Sequence, residues 1–212
     1  MLARGKRCTS ASKGAKMAEK VIGITGGIAS GKTTALAVLQ QLGAMVISAD
    51  DISHFLLEKH QKGYNGIKKL FPSAFVGDEL SRSLLREIVA NDKSSLALLN
   101  SFMHPLIINE LKQGIEFSKG VVFIEVPLLF ECELDTICDY VVSISASEQL
   151  RINRIKARDN TVTDAQAQTL IRAQFTDEER NRRADEVIYN ESGREIFEEK
   201  IKDLFLRVGG KK

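Results

Sequence analysis

Gly26-Gly27-Ile28-Ala29-Ser30-Gly31-Lys32-Thr33 fits the pattern G-x-x-x-x-G-K-[ST] without a mismatch. Val21-Ile22-Gly23-Ile24-Thr25 before it is short, apolar and β-branched, as a buried parallel strand should be. Thr34 to Leu42 after it has Leu36, Leu39 and Leu42 at helical spacing and Gly43 as a stop. A strand, this loop and a helix form a phosphate-binding unit. Its glycines let the chain close on a ligand, its N–H groups converge on phosphate oxygens, and the helix turns its positive end to the same anion. Gly27, Ala29, Ser30, Gly31, Lys32, Thr33 and Thr34 are therefore candidate nucleotide-binding residues. In this pattern the Lys32 ammonium reaches the β- and γ-phosphates and the Thr33 hydroxyl binds Mg²⁺. The dinucleotide pattern G-x-G-x-x-G is absent from this loop.

Working outward, four more short apolar runs follow: Met45 to Asp50, Val121 to Val126, Tyr140 to Ile144, and Glu186 to Tyr189. Helical stretches separate them, which predicts a parallel sheet covered on both faces with right-handed crossovers. The expected fold is α/β: a three-layer α/β/α P-loop NTPase with a five-stranded parallel sheet. Residues 51–118 lack a strong strand and read as a helical insertion large enough to bind a substrate, far longer than a crossover needs. His104-Pro105 is expected to start a helix within it. Residues 147–183 read as an Arg-rich helical pair, capped by Ser145-x-x-Glu148 and Thr163-x-x-Gln166. The core is expected at 20–50, 119–146 and 184–212, closed by a helix from Gly193 to Val208.

The chain has 212 residues, of which 43% are apolar and 27% charged. This is ordinary for a globular protein, and no apolar run approaches the ~20 residues of a membrane helix. The net charge of +2 hides an asymmetry: six Lys/Arg and one acid fall in the first twenty residues, so the remainder is acidic. That balance speaks against a nucleic-acid-binding face. Residues 1–19 read as a basic extension without an apolar core, unlike a secretory signal, and Met17 is an alternative start. Cys8, Cys132 and Cys138 have no metal-ligand spacing, so free thiols in a reducing cytoplasm are expected.

Phosphoryl transfer needs positioning, a metal and positive charge near the moving group. Asp50 is expected at the end of a strand beside the loop strand. There it can take a proton from an acceptor hydroxyl or help hold Mg²⁺; the alternative is an N-cap for residues 52–60, a role that suits Asp51 more than Asp50. Glu125 follows four apolar strand residues, either as a second acid for Mg²⁺ or as a buried carboxylate in an ion pair. Arg151, Arg154 and Arg158, spaced three and four apart, share a helix face that is either solvated or closes on phosphates. His104 is a helix cap, a buried hydrogen-bonding residue or a catalyst. The guanine-reading N-K-x-D motif is absent.

Taken together, these residues resemble the dephospho-coenzyme A kinase family. Ile24 to Thr34, Ser48-Ala49-Asp50, His104-Pro105-Leu106-Ile107 and Pro127-Leu128-Leu129-Phe130-Glu131 carry the resemblance. Arg154, Arg158, Gln174, Ala184-Asp185, Asn190 and Gly193 extend it over about Val21 to Gly193. It implies a nucleotide core, a helical domain for the coenzyme A precursor and an Arg-bearing lid. It also implies transfer of the ATP γ-phosphoryl group to the ribose 3′-hydroxyl of dephospho-coenzyme A, with Mg²⁺, in a cytoplasmic protein that is a monomer or weak homo-oligomer. Asp50 would be the base, and Lys32 and Arg158 would stabilise charge. Arg154 and Asn190 would contact nucleotide. His104, Pro127, Leu128 and Glu131 would contact the acceptor, and Thr33 and Glu125 would hold the metal. Three positions depart from the family: Ser48 stands where Asp is usual, His54 where Arg is common, and Arg151 where Gln is usual. Two other readings remain open: a small P-loop kinase with a nucleoside monophosphate or small alcohol as acceptor, and a nucleotide-binding protein without catalysis.

Overall fold

A computed structural model describes residues 18–209; the basic extension through Met17 lies outside the described residues. Seven strands, nine α-helices and two short 3-10 helices lie within the described residues. In chain order the strands and α-helices are β1 (Ala18–Gly26), α1 (Lys32–Gln41), β2 (Met45–Ser48), α2 (Ala49–Leu56), α3 (Lys62–Leu70), β3 (Phe75–Val76), β4 (Glu79–Leu80), α4 (Arg82–Asn91), α5 (Lys93–Phe117), β5 (Gly120–Glu125), β6 (Tyr140–Ser145), α6 (Glu148–Arg158), α7 (Asp164–Arg172), α8 (Asp177–Arg183), β7 (Glu186–Tyr189) and α9 (Arg194–Arg207). Ala18 and Glu19 already belong to β1, two residues ahead of the expected core boundary.

The main sheet has the order β2-β5-β1-β6-β7, and its pairings are parallel. The expected five strands are all present. The expected neighbour of β1 is corrected: β5, not β2, lies beside it, because β5 pairs with β1 along one edge and with β2 along the other.

The two-residue period of the strands divides the core. Ile22, Ile24, Phe123, Val142, Ile144 and Ile188 pack on one face against Ala35, Val38 and Leu39 of α1 and Phe197, Ile201, Leu204 and Phe205 of α9. Val21, Val122, Ile124 and Val141 pack on the other against Leu111 and Ile115 of α5 and against Leu129, Phe130 and Leu134. The insertion builds its own cluster from Leu56, Ile67, Phe71, Ala74, Leu85 and Met103. Its long helix α5 also packs on β1 and β2, so one helix spans insertion and core.

Four local expectations change. Pro105 lies inside α5 rather than at a helix start. The helix begins at Lys93, where Asp92 caps it by accepting from the Ser94 and Ser95 amides, and packing on both sides of the proline carries it through. A small antiparallel hairpin, β3–β4, interrupts the insertion. Ser147, not Ser145, precedes α6, without a side-chain cap bond. The Arg-rich region holds three helices rather than two, the third opened by Thr176, which accepts from the Glu179 amide. The Thr163–Gln166 capping box ahead of α7 is present in full.

Candidate active site

The phosphate-binding loop leaves the carboxyl end of β1 and opens into α1, whose first residues are Lys32 and Thr33. For loop N–H groups to converge inward, its carbonyls must point outward, and buried carbonyls need donors. Distant residues supply them. Arg151 Nε donates to Ile28 O over 2.8 Å. Arg154 donates to Ala29 O and Ser30 O, both at 3.2 Å, and to Asn190 O at 2.9 Å. Asn190 Nδ2 also donates to Ser30 O at 2.8 Å. Gln174 Oε1 accepts from the Ile28 amide at 2.8 Å. Gly31 has φ +114°, and a Cβ there would strike the Asn190 amide. The glycine is required by conformation and by contact alike.

Lys32 folds back across the loop, donating to Gly26 O at 2.8 Å and Gly27 O at 3.3 Å. Burial holds its ammonium below the usual 10.5, with the charges of Glu125, Arg180, Asp50 and Arg151 acting on it in turn. The charges of two carboxylates and two guanidiniums thus act on the lysine of the loop.

Glu125 ends β5 opposite Ser48 in the neighbouring strand and is 3% exposed. Ser48 Oγ donates to Glu125 Oε2 at 3.0 Å and accepts from the Asp51 amide at 3.3 Å. Ser48 is therefore the N-cap of α2, which removes the capping alternative for Asp50 and Asp51. Burial, then the Asp50 carboxylate, raises the Glu125 carboxyl above the ordinary 4.5. Asp50 sits in the first turn of α2 rather than on a strand, and it is exposed.

Asp50 also borders a cavity of about 270 Å³ between the insertion and the sheet. Pro127, Leu128, His104, Met103, Asn100 and Ser53 line it with further apolar residues. His104 Nδ1 lies 3.9 Å from Cys132 Sγ on the same wall. Glu131 is placed differently: it accepts from the Phe175 amide at 3.3 Å and faces Arg180. Arg158 is exposed at the end of α6, close enough for its charge to act on Arg154. Thr33, also exposed, stands in the first turn of α1. Thr33, Glu125 and Asp50 carry oxygen donors of the hard kind that Mg²⁺ takes.

With this geometry in hand, a family model described as dephospho-CoA kinase matches residues 20–195. The chain belongs to the dephospho-CoA kinase family. A Lactobacillus johnsonii dephospho-CoA kinase is 35% identical over 194 residues, spanning 89% of this chain and 98% of that protein. A Thermus thermophilus structure superposes with a TM-score of 0.78 at 31% identity, covering 90% of this chain and 98% of that one. A Campylobacter jejuni dephospho-CoA kinase structure superposes with a TM-score of 0.63 at 24% identity, covering 91% and 98%, a likeness of fold.

Within this dephospho-CoA kinase fold, three residues play parts that spacing alone did not assign. Arg151 and Arg180 are each 1% exposed, and Asp177 pairs with both. A signal was present for Arg151: it precedes Ile152 and stands one turn before Ile155, so it lies on the buried side of α6. No spacing pointed to Asp177, whereas Arg180, with Arg182 and Arg183, gave a weaker signal of the same kind as Arg151, Arg154 and Arg158.

Proposed function

We propose that the chain transfers the γ-phosphoryl group of ATP to the ribose 3′-hydroxyl of dephospho-CoA, giving CoA and ADP. One observation carries this reading: Asp50 borders the largely apolar cavity, and its charge also acts on Lys32 of the phosphate loop. A single carboxylate thus stands between a place for an acceptor and a place for a triphosphate. The loop amides other than that of Ile28, which Gln174 holds, bind the phosphates with Lys32 and Thr34, and Arg154 and Asn190 hold the loop in shape. The acceptor hydroxyl oxygen forms a bond to the γ-phosphorus as the β–γ bridging bond breaks, and its proton passes to Asp50. Lys32 and Arg158 offset charge on the moving group. Thr33 and Glu125 would hold Mg²⁺, which supplies charge neutralisation at the phosphate oxygens. His104, Pro127 and Leu128 contact the acceptor, and Glu131 supports the wall behind them.

The test is ADP release from ATP and Mg²⁺ with dephospho-CoA, AMP, shikimate and gluconate offered separately. Release with dephospho-CoA alone is expected. Release with another acceptor would keep the phosphate site and discard the substrate. Silence with all four, alongside ATP binding, would favour a non-catalytic nucleotide-binding protein.

A further inference from the structure

The geometry points to Arg151 as a positioning residue that sets the phosphate loop before ATP arrives. Its Nε donates to Ile28 O at 2.8 Å, while Gln174 accepts from the amide on the other side of the same residue at 2.8 Å. Two successive peptides of the loop are thereby fixed in orientation. The guanidinium lies against Gly27 so closely that a Cβ there would overlap it. The other end of the guanidinium pairs with Asp177, whose second oxygen accepts from Arg180 at 2.7 Å. Arg180 in turn donates to Phe175 O at 2.8 Å, and Glu131 accepts from the Phe175 amide. The loop is thus tied through Arg151 and Asp177 to α8, and through Gln174 to the α7–α8 connection.

The physical consequence is preorganisation. A glycine-rich loop loses much conformational freedom when it orders around a ligand. Bonds that already fix its peptides shift that cost from ligand binding to folding. Arg suits the position because its planar fork can meet a carbonyl along one edge and a carboxylate along another, whereas the point charge of Lys cannot keep both. Arg151 touches the loop and acts through it.

The inference rests on the proposed ATP site, and its test does not need the acceptor. ATP affinity of the purified full chain is measured without acceptor for wild type, Arg151→Ala, Arg151→Gln and Asp177→Asn, together with Tm and, where turnover occurs, KM for each substrate. Arg151→Ala is expected to weaken ATP binding on the order of tenfold, the loss of one charge-assisted hydrogen bond. Arg151→Gln should recover part of this, because its amide can still donate to Ile28 O. Asp177→Asn should fall between wild type and Ala. KM for the acceptor should stay unchanged in all three. Wild-type ATP affinity in a folded Arg151→Ala variant overturns the inference. If that variant does not fold, wild-type affinity in both other variants overturns it. Equal losses for ATP and acceptor, tracking Tm, would show a purely structural role and also overturn it. A wild type that binds ATP but does not phosphorylate dephospho-CoA would refute the proposed reaction and leave this comparison decisive for Arg151.

Discussion

Ser48 and Glu125 face each other across β2 and β5, and the Ser48 hydroxyl bonds the Glu125 carboxylate at 3.0 Å while capping α2 through the Asp51 amide. One hydroxyl therefore ties the buried acid beside Lys32 to the helix that carries Asp50. Ser48→Ala removes both bonds. A lost N-cap costs about 1 kcal/mol, so Tm should fall. kcat should fall as well, because the first turn holding Asp50 loses its anchor. Ser48→Thr keeps the hydroxyl and should restore both. An unchanged kcat in a destabilised Ser48→Ala variant would separate the cap from catalysis.

Glu125 also sets a pH dependence. Burial raises its carboxyl above 4.5, so the folded chain binds a proton more tightly than the unfolded chain. Its contribution to stability is best below about 4.5 and declines as pH rises through the raised folded value. Glu125→Gln should flatten that decline. The check is urea unfolding from pH 4.5 upward, with EDTA present; parallel wild-type and variant curves would refute it.

Lys32→Ala should abolish turnover, whereas Asp50→Asn should lower kcat on the order of a hundredfold to a thousandfold with ATP affinity little changed. Steady-state kinetics with direct ATP titration separates the two. An intact kcat in Asp50→Asn would refute its role as base.

The cavity predicts an asymmetric effect. Leu128 lines it and is 36% exposed, so its side chain can enlarge without disturbing the core. Leu128→Trp should raise KM for the acceptor several-fold and leave ATP affinity unchanged. Equal effects on both substrates would place the acceptor elsewhere.

Gly27→Ala and Gly31→Ala should each impair ATP binding for a different reason. At Gly27 a methyl meets the Arg151 guanidinium; at Gly31 it meets Asn190 in a backbone with φ +114°. Pairing Gly27→Ala with Arg151→Ala should relieve part of the first defect. No single change at Asn190 can fully relieve the second, because its backbone strain remains. ATP titration of the four variants reads this out.

The sequence by itself determined the phosphate loop, the five parallel strands, the Thr163 capping box and the terminal helix. Each is a local pattern: a glycine motif between a β-branched run and a helix, a short apolar run, a side chain bonding its own backbone. What only the tertiary structure decided depends on which distant segments meet. β5 pairs with both β1 and β2, so strand order follows from edge pairing rather than from succession along the chain. Pro105 remains in a helix because packing on both sides outweighs the bond it cannot make. Ser48 caps α2 by accepting from the Asp51 amide, and its hydroxyl is oriented by donating to Glu125 across the strand. Arg151 belongs to the loop because Ile28 O and Asp177, more than a hundred residues apart in the chain, meet around its guanidinium. A charged residue's role is set by the partners that satisfy it when buried, and those partners exist only once the chain has folded.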